Sequence, residues 1–75
     1  MIVTTKNSVY ELLAEGAGVS LRKIHARQPS PYIDNRIVRA KGFSIRVGGI
    51  LELFDADTET GYLRTSIVEW ITHNA

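Results

Sequence analysis

Between residues 22 and 46 the chain carries seven cations, Arg22, Lys23, Arg27, Arg36, Arg39, Lys41 and Arg46, against a single carboxylate, Asp34. Guanidinium groups grip phosphate through paired, charge-assisted hydrogen bonds, and an aromatic ring among them can stack a base. Tyr32 lies in this stretch, next to Pro31. The candidate ligand- or nucleic-acid-binding residues are therefore Arg22, Arg27, Tyr32, Arg36, Arg39, Lys41 and Arg46, and the chemistry is capture of an anion, either a nucleotide-sized ligand or a nucleic-acid strand. The competing reading is a strand face turned to water. Alternation along a strand sends Arg22 and Lys23 to opposite faces, as it does Arg36 and Arg39, so only part of the set can act together. A sequence pI of about 8.1 also falls short of the value above about 9 usual for a dedicated duplex binder.

Other reactive patterns fail on spacing. Asp55, Asp57 and Glu59 alternate ahead of Gly61, as a hard cation would want. A calcium loop starting at Asp55 would need glycine at its sixth position and a carboxylate at its twelfth, where Thr60 and Ser66 stand. Acidic residues at a hairpin tip also simply keep it soluble. His25 and His73 have no second histidine or cysteine at ligand spacing, and the chain has no cysteine at all. Ser66, between Thr65 and Ile67, lacks the glycine-flanked elbow that presents a nucleophile. Gly48-Gly49 joins two strand-like runs and opens no helix, so it is a turn needing positive φ and not a phosphate-binding loop. The expectation is a protein that is not an enzyme, with no metal site and no cofactor.

The second candidate group lies in the run from Tyr62 to Thr72, rich in Tyr, Thr, Ile, Val and Trp. Tyr62, Arg64, Val68 and Trp70 share one parity of this strand, and Trp, Tyr and Arg are the residue types that concentrate binding energy at interfaces. They form the candidate interface. Leu63, Thr65, Ile67 and Ile71 make the better core face, interrupted by Glu69. The competing reading places Trp70 in the core.

These groups must be positioned by short strands. Phe43, Ile45 and Val47 alternate with Ser44 and Arg46, the period of a strand buried on one face. After Gly48-Gly49 the run resumes from Ile50 to Asp55, and beyond the acidic loop Tyr62–Thr72 completes a three-stranded antiparallel meander. Upstream, Ile2 to Lys6 reads as a first strand and Asn7-Ser8 as a tight turn. The segment from Val9 to Glu15 fits two patterns. One is the second strand of a hairpin. The other is a short helix over 9–15, opened by the capping box Ser8-Val9-Tyr10-Glu11 and stopped by Gly16. Val19 to Arg27 reads as a strand whose alternation slips, with Val19 and Leu21 on one parity and Ile24 and Ala26 on the other, as a β-bulge produces. Gln28 to Asn35, with Pro29 and Pro31, must be a loop, and Ile37 to Lys41 adds a short edge strand. The expected fold is all-β: a small, partly open barrel of five or six short antiparallel strands, SH3-like or OB-like.

At 75 residues the chain is one domain, spanning 1–75, and a domain of this size buries only about 60% of its unfolded surface. Without disulfides the remaining way to complete a thin core is self-association, so a homo-oligomer is expected. The net charge of +1 conceals a segregation, with residues 1–21 at −1, residues 22–46 at +6 and residues 47–75 at −4. That asymmetry suits an anionic partner or the pairing of unlike surfaces. No apolar run approaches the roughly 20 residues that cross a bilayer, and no basic start precedes an apolar region. No membrane association and a cytoplasmic location are expected.

The opening I-V-T-T-K-N-S-V-Y-E, the proline loop from Gln28 to Tyr32, the I-R-V-G-G-I-L-E-L turn and the closing R-T-S-I-V-E-W-I together resemble small all-β proteins of bacteriophages and prophages. The resemblance implies a compact β protein at work in the cytoplasm of a host cell, and it transfers no activity and no site residue. The function expected is that of a non-enzymatic binding protein which self-associates and captures a host protein or an anionic small ligand such as a nucleotide. The alternative is a nucleic-acid-binding barrel using the basic 22–46 segment.

Overall fold

The computed structural model describes residues 1–26 and 36–73. They form seven strands: β1 (Ile2–Thr5), β2 (Ser8–Glu15), β3 (Gly18–Ala26), β4 (Ile37–Ala40), β5 (Gly42–Ser44), β6 (Ile50–Phe54) and β7 (Tyr62–Thr72). All pairings are antiparallel, in the order β4-β3-β2-β1-β7-β6-β5. The sheet curls into a half-barrel, and the three-stranded meander β5–β6–β7 is present as the sequence suggests. Arg27, Tyr32 and the proline loop lie outside the described residues.

The segment with two readings is a strand, and the helix over 9–15 does not form. Ser8, Tyr10 and Leu12 are buried while Val9, Glu11 and Leu13 are less so. That period of two places the segment between β1 and β3, where both edges find ladder partners. Tertiary pairing overrides a capping signal that has only seven residues to stabilise.

The strand count exceeds the expected five or six because the edge strand switches partners. Its first half, β4, pairs with β3, and its second half, β5, pairs with β6, with Lys41 alone between them. The Lys41 N–H bonds the Phe54 carbonyl (3.2 Å) and the Asp57 N–H bonds the Arg39 carbonyl (2.9 Å). Asp57 Oδ1 accepts the Arg39 N–H at 3.0 Å. The two ends of the curled sheet are thereby drawn together along one bent ribbon. Gly18 is needed at this seam, since a Cβ there would lie 2.3 Å from the Ala40 carbonyl oxygen.

Bulges set which side chains reach the core of Val3, Tyr10, Leu12, Leu21, Val38, Ala40, Leu51, Leu53, Ala56 and Val68. In β3 the register jumps from Tyr10↔Lys23 to Val9↔His25, leaving Ile24 as the extra residue, which is the slip seen in the sequence. In β7 it jumps twice, once between the Glu52↔Arg64 and Ile50↔Ile67 pairs and once at Glu69, between Thr5↔Val68 and Thr4↔Trp70. Hydroxyls satisfy the disrupted ladder. Thr65 Oγ1 accepts the Leu51 N–H (3.3 Å), and Ser66 Oγ accepts the Asn7 N–H (3.2 Å) while donating to Thr5 Oγ1 (3.0 Å). Among the described residues no helix is long and apolar enough to cross a membrane.

Candidate functional site

The cationic segment is brought together with carboxylates more than with itself. Arg22 on β3 donates to Glu11 on β2 at 2.9 Å, as its register position opposite Glu11 dictates. Arg39 on β4 donates through Nε to Glu15 Oε1 at 3.0 Å. Arg36 donates to the Asp57 carbonyl and lies 3.5 Å from the Asp57 carboxylate. The Arg39 guanidinium, hydrogen-bonded to Glu15, holds that carboxyl below its usual range, with Ser20 assisting, and the same bond raises Arg39. The Lys23 ammonium lies 5.9 Å from the centroid of the buried Tyr10 ring. Of the expected binding residues that are described, Lys41 and Arg46 have no ion pair among the described residues. Lys41 stands at the seam with Glu15, Asp55 and Asp57, and Arg46 lies in an open groove of about 540 Å³ beside Ser44, Ile50, Glu52 and Ile67.

The expected interface residues separate. Val68 is 1% exposed, and the two β7 bulges explain it. Leu63 and Thr65 point inward, the first bulge hands the inner face to Val68, and the bulge at Glu69 returns it to Ile71. Val68 is thus core and not surface, and Ile67, expected in the core, is 53% exposed. Trp70 is 55% exposed on the outer face, opposite Thr4. Phe43 and Val47 are also exposed, contrary to the alternation: Phe43 lies in β5, at the edge of the sheet, and Val47 falls in the turn. Only Ile45 of that trio packs against the core.

What assembles instead is the outer face of β6 and β7. Direct pairing places Ile50 opposite Ile67, Glu52 opposite Arg64 and Phe54 opposite Tyr62, so these six side chains form three cross-strand rows on one face. Leu51 and Leu53, of the other parity, are buried beneath them. The Phe54 and Tyr62 rings are tilted at 47° with centroids 5.9 Å apart, a favourable aromatic geometry. The Tyr62 hydroxyl donates to Glu52 Oε2 at 2.6 Å, and this bond to a carboxylate raises the phenol above the ordinary tyrosine range. Arg64, facing the same Glu52 in register, has no ion pair among the described residues. Of the expected interface residues, Tyr62, Arg64 and Trp70 lie on the outer side of β7. Ile50, Glu52, Phe54 and Ile67, which the structure sets beside them, were not among the expected residues, although the alternation Ile50-Glu52-Phe54 was legible.

Asp57, read from the sequence as part of a soluble loop tip, is instead the cap on the edge of β4, bonding both the N–H and the carbonyl of Arg39. Among the described residues no group of three histidine or acidic side chains could hold a metal ion. No family model, no curated protein and no solved structure matches the chain.

Proposed function

We propose that this chain is a non-enzymatic, phage-type binding module of the host cytoplasm, which associates with itself through the outer face of β6 and β7 and captures a host protein. The observation that carries the reading is the exposure of Phe54, Tyr62, Ile67 and Trp70 on a sheet surface whose opposite side is already the core. Apolar and aromatic side chains gathered on one exposed face are what interface hot spots are made of. The strand order favours an SH3-like over an OB-like barrel, because all neighbours except β1 and β7 are consecutive in sequence and the OB-fold is a Greek key.

Capture of a nucleotide or a nucleic-acid strand is the weaker reading. Arg22, Arg36 and Arg39 each already hold a carboxylate, and an incoming phosphate would have to displace it. The test sets assembly against oligonucleotide binding in two variants. Trp70→Ala should reduce assembly measured by sedimentation, Arg39→Ala should leave it unchanged, and fluorescence anisotropy should find no salt-sensitive oligonucleotide complex. A complex that weakens log-linearly with salt and is lost in Arg39→Ala would replace this reading with the nucleic-acid one.

A further inference from the structure

We infer that the β6–β7 face, taken as the binding surface above, is self-complementary, and that its occupant is a second copy related by a two-fold axis parallel to the strands. The inference rests on the three rows. An axis running along the hairpin between β6 and β7 lays β6 of one copy over β7 of the other. Glu52 then meets Arg64 of the second copy, Phe54 meets Tyr62, and Ile50 meets Ile67, each contact occurring twice. An axis across the strands through the charged row would instead place Glu52 on Glu52 and Arg64 on Arg64. Like-charge juxtaposition of that kind is strongly unfavourable. The charge pattern therefore selects one arrangement.

The state of the charged row within one copy points the same way. Glu52 gives one carboxylate oxygen to the Tyr62 hydroxyl, while Arg64 finds no ion-pairing carboxylate among the described residues. The second copy supplies one. The apolar rows to either side shield that contact from water, which strengthens it. Two strands of surface are smaller than the about 800 Å² per partner of a standard interface, so the dimer belongs to the transient class.

The test is a charge exchange. Arg64→Glu alone and Glu52→Arg alone each create two like-charge contacts, and each should weaken the dimer by roughly tenfold or more in sedimentation. An equal mixture of the two variants should recover a heterodimer, because every contact across it is again opposite in sign. Circular dichroism of each variant establishes that it is folded, and recovery on mixing is an outcome that misfolding could not produce. A wild-type dimer that both variants leave intact, or a mixture that stays monomeric, would overturn this arrangement while leaving self-association standing. A wild-type chain monomeric at every concentration would remove the second copy as occupant and leave a host protein in its place.

Discussion

The outer surfaces of β2–β3–β4 and of β6–β7 are both strand faces turned to solvent, and they treat their charges in opposite ways. On the first, unlike charges are engaged, Arg22 bonded to Glu11 on the adjacent strand and Arg39 to Glu15 two strands away. On the second, cross-strand neighbours are alike, isoleucine with isoleucine and aromatic with aromatic, and the one charged row leaves its arginine without an ion-pairing carboxylate among the described residues. In the stretch with the highest charge content, Arg22, Arg36 and Arg39 are thus already held by carboxylates of the same chain. The nearly uncharged one is unfinished. The proposed binding surface is the one whose side chains the chain leaves exposed, and it lies apart from the stretch that a count of cations points to.

One common core lies beneath both faces. Leu21, under the ion-paired surface, and Leu53, under the aromatic one, are both essentially inaccessible. Leu21→Ala and Leu53→Ala should each cost about 2–5 kcal/mol in urea unfolding. A loss well below that at either site would mean that its half is not part of the shared core. Next in size is Gly18→Ala, whose methyl group meets the Ala40 carbonyl. It should cost about 1–3 kcal/mol as an overpacked site and should loosen the ion-paired half. Amide exchange is expected to rise in β4 while the β6–β7 ladder keeps its protection, and equal exchange in both regions would show that the seam does not divide them.

The smallest effects are pH-linked and of opposite sign in the two regions. Glu15 has a folded pKa below its unfolded one, so its contribution is in place above the unfolded value and is lost as the pH falls through the lowered folded value. Tyr62 has a raised folded pKa, so its contribution is complete below the ordinary tyrosine value and is lost as the pH rises through the raised one. Glu15→Gln should flatten only the acid limb of the stability profile and Tyr62→Phe only the alkaline limb. Ultraviolet titration of the phenolate, with and without Glu52→Gln, checks the second directly. Both groups are solvent-exposed, which keeps the changes slight.

Much of the architecture could be read from the residues. The Gly48 turn has the required positive φ of 84°, and the parity slip between Leu21 and Ile24 marks a real bulge. β7 defeated the same reasoning because two bulges five residues or fewer apart return the pattern nearly to its starting parity, so one average alternation describes neither part. The change of partner at Lys41 has no local signature, since it depends on where β3 and β6 end. The ion pairs were hidden for the same reason: Arg39 finds Glu15 from 24 positions away and Arg36 finds Asp57 from 21. Sequence reports which side chains alternate, whereas neutralisation and exposure are properties of the closed sheet.

Sedimentation velocity of the wild-type protein from low to high micromolar concentration, in high salt, tests the central claim most directly. The expected result is a reversible shift from an 8.4 kDa chain to a two-chain species that salt does not dissolve. A single 8.4 kDa species at every concentration would contradict it.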